Sequence, residues 1–400
     1  MSIKKAKVTE MKRSIAMILA AVIVLAALAA CGSPENAEDD GMQTLYVYDT
    51  YGHSTMTAIF SSSTSDLTMT AEMKMIDEKS DGKVFSCKAD PTVYDRVIFN
   101  NGDRDTPMMV YNEYVSGWAL TPLHIKPYQH GTEGTEVAEP EYKRQSFPYE
   151  DMTKDVLIWT PKDYDADSAE KYSVIYMTDG QNLFKDNATT HGSWNVAESI
   201  ENMMAVNGSK VIVVGIENAD SYRDMELTPN LGTPTDGNYE DGRGAYFADF
   251  VYNTVVPYVE KNYNVYTDRE HNAVCGSSSG GIECFYIGME HPEKFGTIGA
   301  LSPAFVLYDD ATWYKYLKEK DFSAGYPDIY IFNGGGDDLE RTLQIGAKAM
   351  PEYLKKIDYP TDKVTFKLDD SAMHNEEYWR FYFPEFLKIL YPVKEAEQKD

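Results

Sequence analysis

The stretch His271-Asn272-Ala273-Val274-Cys275-Gly276-Ser277-Ser278-Ser279-Gly280-Gly281 decides how this chain is read. Its second half holds a Gly-x-Ser-x-Gly pentad, Gly276 to Gly280, centred on Ser278. The residues before the pentad approach as a strand, and Gly281 to His291 leaves as a helix-like run. A sharp strand-to-helix turn of this kind holds a serine Oγ in the open, and the two glycines remove Cβ atoms that would clash there. The helix N-terminus behind the serine favours negative charge developing beside it. Composition alone gives roughly 0.1 such pentads in a chain of this size. The motif therefore carries weight only if the rest of the chain supplies what Ser278 needs.

Working outward, strands alternate with helices over residues 145–392. Strands are expected at Val156–Thr160, Ser173–Thr178, Lys210–Ile216, His271–Cys275, Gly296–Leu301, Asp328–Phe332 and Val364–Leu368. Helices are expected at Trp194–Met204, Gly244–Asn262, Gly280–His291, Leu339–Ile357 and Glu376–Leu390. Such alternation builds an α/β domain, a mostly parallel sheet covered on both faces. Catalytic groups in such sheets gather just past the carboxyl ends of the strands. There the sequence places Asp179-Gly180-Gln181-Asn182, the pentad, Asn333 to Asp338 after a glycine run, and Asp369 to His374. Serine, acid and histidine thus follow one another in the order of α/β-hydrolases. Ser278 is the expected nucleophile and His374 the base that takes its proton. The acid is Asp337 or the adjacent Asp338, with Glu340 close behind.

The second segment resembles the esterase family of α/β-hydrolases. That family includes feruloyl and acetyl-xylan esterases, siderophore esterases, S-formylglutathione hydrolase and mycolyltransferases. The matching stretches are Tyr176 to Phe184, Arg223 with Glu226-Leu227-Thr228-Pro229, Val256 to Tyr263, the pentad, His291 to Gly296, and His374 leading into Phe383 to Leu387. One departure is Ser279, where the family often has Met or Leu. The resemblance implies an α/β-hydrolase fold and a serine carboxylic-ester hydrolase with no cofactor. Aligning Gly334–Gly336 with the family's glycine-rich turn puts Asp337 in the acid position. It also implies an oxyanion hole of two backbone N–H groups, from Ser279 and from Gln181. Trp194, Tyr222, Arg223 and Tyr239 lie in segments expected to overhang the site, as stacking surfaces for a phenolic or sugar group or as ordinary packing. Acyl transfer to a sugar is an alternative outcome of the same chemistry, and a siderophore ester an alternative substrate.

Residues 42–125 alternate short β-rich runs with polar turns, the pattern of a small antiparallel sandwich. Strands are expected at Thr44–Tyr48, Met56–Phe60, Leu67–Met75, Lys83–Lys88 and Tyr94–Phe99. The stretches Met73-Lys74-Met75, Asp81 to Phe85, Tyr94 to Gly102 and Asp105-Thr106 resemble starch-binding-type carbohydrate-binding modules. Those modules hold sugars on stacked aromatics, for which Trp118, Tyr46 and Tyr48 are available. The bland alternative is a spacer without a ligand; a separate alternative for the whole chain is a carbohydrate-capturing lipoprotein whose hydrolase domain lacks activity. Residues 126–144, rich in Gly, Pro, Thr and Glu, read as a linker.

The N-terminus bears on localisation. Lys4, Lys5, Lys7, Lys12 and Arg13 precede an uncharged run from Ser14 to Ala30 that ends Leu28-Ala29-Ala30-Cys31. This reads as a secretory signal over residues 1–30. The ending resembles a bacterial lipobox, which implies cleavage before Cys31, lipidation of its sulfur and a polar tether over 31–41. An extracytoplasmic protein anchored to the membrane or cell surface is expected, with a short tail over 393–400. The chain carries 64 acidic against 37 basic residues, a net charge of −27. With no basic cluster to offset it, this charge argues against nucleic-acid partners. Cys87, Cys275 and Cys284 have no metal-type spacing; Cys275 and Cys284 are small buried thiols or a pair. The loop Asp236 to Gly242 misplaces the glycine of a calcium loop and lacks its glutamate, so no metal is implied.

Overall fold

Which side chains alternate along the second segment's strands decides which layer each face meets. In β-strands successive side chains point to opposite faces. Along Ser173–Met177, Ile175 and Met177 join one buried cluster, whereas Val174 and Tyr176 join another. Tyr330 and Phe332 divide from Ile329 and Ile331 in the same way. Both faces of this sheet are therefore covered, as an α/β layering requires.

The structure is a computed structural model. It describes residues 41–392 apart from 123, 132–139, 187–191, 236, 238 and 240. The expected signal segment, Cys31 with the tether up to residue 40, the middle of the expected linker and the tail over 393–400 lie outside the described residues.

Nine strands make the first segment: β1 (Gln43–Asp49), β2 (Thr57–Ser61), β3 (Thr68–Glu72), β4 (Lys74–Lys79), β5 (Gly82–Ala89), β6 (Arg96–Asn100), β7 (Met109–Val110), β8 (Gly117–Leu120) and β9 (Ile125–Pro127). They form two sheets, ordered β4-β5-β1-β8-β9 and β3-β2-β6-β7. The expected antiparallel sandwich is corrected at one place, since β1 and β8 run parallel, Tyr46 opposite Gly117. The single expected strand Leu67–Met75 is two strands, because Met73 turns into the core and its N–H bonds the Met56 carbonyl.

The second segment adds β10 (Tyr142–Tyr149), β11 (Met152–Trp159), β12 (Ser173–Met177), β13 (Val211–Ile216), β14 (Asn272–Ser277), β15 (Thr297–Leu301), β16 (Asp328–Gly334) and β17 (Val364–Asp369). Their order is β10-β11-β13-β12-β14-β15-β16-β17. The β10·β11 and β11·β13 pairs are antiparallel and the remaining five are parallel. Both ends of the expected linker are ordered: Lys126 and Pro127 close β9, and Tyr142 to Arg144 open β10 along the sheet's edge. The helices are α1 (Val196–Asn207), α2 (Arg223–Glu226), α3 (Gly244–Phe250), α4 (Val256–Asn262), α5 (Ser279–Glu290), α6 (Asp310–Lys318), α7 (Asp338–Lys356) and α8 (Glu376–Leu390). One turn of π-helix, Val251–Val255, joins α3 to α4.

The buried cluster on the α1 and α8 side of the sheet continues into the sandwich. Trp118 is 1% exposed and meets Phe381 of α8 edge to face, ring centroids 5.4 Å apart. Such a pair contributes about 0.5–1.5 kcal/mol beyond the area it buries. Arg96 of β6 is buried against Glu385 of α8 at 2.6 Å, and Asn112 donates to the Pro384 carbonyl. Trp118 is therefore packing, not a sugar platform. Tyr46 is stacked on His130 at 4.5 Å, and the buried Tyr48 on Tyr128 at 5.6 Å.

The far face of α5 carries an unusual group. Glu283 is fully buried and neither carboxyl oxygen has a hydrogen-bond partner. It lies against Gly244, where any added Cβ would overlap its carboxyl. Burial, reinforced by the charges of Glu226 and Glu290, raises its pKa well above the usual carboxylate range. The folded chain thus keeps a proton that the unfolded chain releases above about pH 4.3, so rising pH favours unfolding. Glu283→Gln removes this dependence. The expected result is a difference in unfolding free energy from urea titrations, variant minus wild type, that grows between about pH 5 and about pH 8, at up to about 1.4 kcal/mol per pH unit. A difference that stays flat with pH would show that Glu283 is ionised in the fold.

Candidate active site

Three non-glycine residues with left-handed backbone stand just past neighbouring parallel strands: Asp179 after β12 (φ 55°), Ser278 after β14 (φ 57°) and Ser302 after β15 (φ 44°). Strain of this kind costs about 1–3 kcal/mol per residue and persists where the surroundings enforce it. Ser278 has ψ −125° and begins α5. Its N–H donates to the Leu301 carbonyl, and its own carbonyl accepts from Ala304 and Ile282. A Cβ at Gly276 would fall on the Thr178 hydroxyl and 2.7 Å from the Gly280 carbonyl oxygen. The two glycines of the pentad are thus required by a crossing of the chain over itself, and the turn leaves Ser278 half-buried among buried neighbours.

His374 follows β17. Its ring Nδ1 lies 2.9 Å from Glu340 Oε1, and its backbone N–H donates to Asp337 Oδ2 at 2.7 Å. The expectation that Asp337 is the acid is thereby corrected. Asp337 is the N-cap of α7, where its Oδ1 accepts the Glu340 N–H at 2.8 Å. One Asp337 oxygen faces the helix N–H and the other the His374 backbone N–H, while the ring Nδ1 faces Glu340. Burial raises the Asp337 pKa, but the backbone donors of Glu340 and His374 outweigh that and hold it below the usual range. Asp338 faces solvent, its carboxylate on Arg341. Glu340 is fully buried; its Oε2 accepts from Asn333 Nδ2 at 2.7 Å and from the Gly334 N–H at 2.9 Å. A carboxylate only accepts, so in neutral His374 the hydrogen sits on Nδ1 and Nε2 presents its lone pair. The ring is braced edge to face by Trp379 at 5.0 Å, and Trp379 Nε1 donates to Ser302 Oγ. This joins the histidine loop to the loop beside Ser278. A sequence signal for the corrected role exists: Asp-x-x-Glu at a helix start reads as a capping pair, which commits the aspartate to the helix.

The remaining expected residues separate. Trp194 is 2% exposed and packs on Trp379 and Phe383, so it is core and overhangs nothing. Arg223 lies behind the nucleophile turn, gripping Asp179 through Nε at 2.6 Å and Nη2 at 2.8 Å. Tyr222 is exposed, and the Tyr239 hydroxyl reaches Asp224 Oδ2 at 3.4 Å. Ser279 is the first residue of α5, whose N–H has no carbonyl of its own helix to meet. Gln181 sits in the tight turn Gly180–Asn182 that Asp179 opens, its side chain accepting from the Asn218 N–H at 3.3 Å. Asp224, which sequence reading passed over, accepts from Ser279 Oγ at 2.8 Å. Cys275 and Cys284 are free, buried thiols.

The profile of the family Esterase, described as “Putative esterase”, matches residues 150–390. The chain belongs to this esterase family. The uncharacterized protein YbbA of Bacillus subtilis (strain 168) is 22% identical over 246 residues, 58% of this chain and 91% of that one. The crystal structure of the enterobactin esterase FES from Shigella flexneri, in the presence of enterobactin, has a TM-score of 0.50 at 16% identity, covering 87% of this chain and 92% of that one. The ferulic acid esterase AmCE1/Fae1A from the anaerobic fungus Anaeromyces mucronatus has a TM-score of 0.47 at 19% identity, covering 67% and 95%. The fold is thus α/β-hydrolase-like, and an esterase of this family is a hydrolase acting on esters.

In this esterase the two carboxylates near His374 separate by substitution. Glu340→Gln, which favours the wrong tautomer, is expected to lower kcat on a p-nitrophenyl ester by roughly 10³-fold or more. Asp337→Ala is expected to keep kcat within about tenfold while costing about 1 kcal/mol of stability, read from the urea midpoint. The reverse ranking would restore Asp337 to the acid position.

Proposed function

We propose that the protein is an exported serine esterase that cleaves carbohydrate-linked carboxylic esters, feruloyl or acetyl, through an acyl-enzyme. The observation that carries the chemistry is the His374–Glu340 pair past the carboxyl end of β17, as the strained Ser278 is past that of β14. Ser278 Oγ attacks the ester carbonyl and its proton passes to His374 Nε2; Glu340 holds the ring and balances the imidazolium. The oxyanion is received by the Ser279 and Gln181 N–H groups. The imidazolium protonates the departing alcohol, and a water activated by His374 then releases the acid.

The carbohydrate half of the reading draws support from the sandwich. A cleft of about 200 Å³ is lined by Tyr51, His53, Asn101, Arg104 and Thr121, with Ile125 as one wall. His53 is fixed there by Asp49 on Nδ1 and by Asn101 Nδ2, both at 3.0 Å, and Tyr51 leaves 44% of its surface open. An aromatic face beside planar polar groups suits a sugar ring. Ile125 bonds to α8 through Glu377 and Arg380, shortly after His374. Export and anchoring at Cys31 rest on the N-terminal sequence.

The test is hydrolysis of p-nitrophenyl acetate, feruloylated arabinoxylan, acetylated xylan and a catecholate siderophore by the wild type and Ser278→Ala. Activity is expected on p-nitrophenyl acetate and on at least one of the two polysaccharides, and is expected to fall at least 10³-fold in the variant. Unchanged activity in the variant would remove the serine mechanism, and preference for the siderophore would replace the carbohydrate reading. Tyr51→Ala is expected to lose about tenfold on the polysaccharide and several-fold less on p-nitrophenyl acetate.

A further inference from the structure

Asp224 lies where an esterase least tolerates a negative charge. Its Oδ1 accepts from Ser279 Oγ at 2.8 Å, and Ser279 is the residue whose N–H follows the nucleophile. That hydrogen bond places the carboxylate on the order of 6 Å from an oxyanion donor. Its other neighbours do not neutralise it. Arg223 Nη1 reaches Asp224 at 2.9 Å, yet the same guanidinium is held by Asp179 through Nε and Nη2. Asp179 also takes Asn218 Nδ2 at 2.5 Å and is 5% exposed, whereas Asp224 is 47% exposed. Among the described residues no second cation pairs with either acid, so two carboxylates share one positive charge. The surplus negative charge falls on the exposed partner, at the site's edge, beside the open Tyr222 and the Tyr239 hydroxyl.

We propose that Asp224 is a specificity residue that selects uncharged, hydroxyl-bearing esters and turns away esters carrying an anion near the scissile bond. The inference rests on the esterase reading of Ser278 and narrows its substrate class. A carboxylate whose Oδ2 meets, among the described residues, only a tyrosine hydroxyl at 3.4 Å can accept hydroxyl donors from a sugar or a phenol. The same group repels a second anion: at ~7 Å, with the dielectric and salt screening of a protein surface, two like charges differ from a neutral pair by about tenfold or more in an equilibrium or rate. Ser279, where the family often carries an apolar side chain, supplies the hydroxyl that fixes this carboxylate beside the site.

The experiment compares kcat/KM for p-nitrophenyl butyrate and for the mono-p-nitrophenyl ester of succinate, equal in chain length and different by one charge. Wild type is expected to favour the butyrate ester. Asp224→Asn is expected to raise the succinate-to-butyrate ratio about tenfold at low salt, an effect that shrinks in about 0.5 M NaCl. Asp224→Glu, which keeps the charge, is expected to keep the wild-type preference. Asp66→Asn, the same loss of charge on the sandwich, is expected to leave the ratio alone. An unchanged ratio in Asp224→Asn, or equal shifts in the Asn and Glu variants or in Asp66→Asn, overturns the role of Asp224 while butyrate hydrolysis upholds the esterase. If the wild type hydrolyses neither ester, the esterase reading fails and this proposal falls with it.

Discussion

The backbone at Ser278 turns through φ 57° and ψ −125°, and most of the site can be traced to the need to hold it there. The conformation itself costs about 1–3 kcal/mol. Gly276 and Gly280 let the strand and the helix cross against Thr178 without a Cβ between them. The Leu301 carbonyl and the Ala304 N–H fasten the turn to the next strand. Arg223, reaching the Ser277 carbonyl at 3.4 Å and Asp179 just past the neighbouring strand, secures it from behind. Because β14 sits inside the sheet with parallel neighbours on each side, none of these supports is a free loop.

Around that turn the charges are arranged by how completely each is occupied. Glu340 has three donors and no exposure, so it has one function, to orient His374. Asp337 is spent on two backbone N–H groups, and Asp179 on a guanidinium and an amide. Asp224 alone among them combines exposure with a shared countercharge. Four carboxylates around the Ser278 turn thus divide into three whose oxygens are held by largely buried donors and one that is half exposed. The division follows from burial and donor count, since a buried carboxylate must have its lone pairs filled whereas an exposed one can leave them to water.

Much of this was legible in the sequence, for reasons visible in particular residues. Runs such as Val211 to Ile216 announce a strand buried on both faces, and Ser278 and His374 could be placed because each follows such a strand. The glycine-rich alignment chose Asp337 and passed over Glu340, because the choice depends on where α7 starts and which way its first turn faces. The short strands β7 to β9 carry too few residues for a period to show, and β10 runs into a Pro- and Glu-rich stretch that resembles a linker. Trp118 looked available for sugar because nothing local to it is apolar enough to bury it. Its partner, Phe381, is far along the chain, and no pattern in the first segment records that. The change from strand-and-turn to alternating grammar marked two segments, but the core runs from one into the other through α8.

That shared helix has a consequence for the order in which the molecule becomes complete. α8 starts directly after the His374 loop, buries one side on the sheet and gives the other to the sandwich. In chain order the turns at Gln181 and Ser278 and the sandwich all precede β17, His374 and α8. Among the described residues, the segment that carries His374 is therefore also the last to join the two halves. A folding chain can assemble nearly everything else and still lack both the His374–Glu340 pair and that join, because the two arrive with one segment.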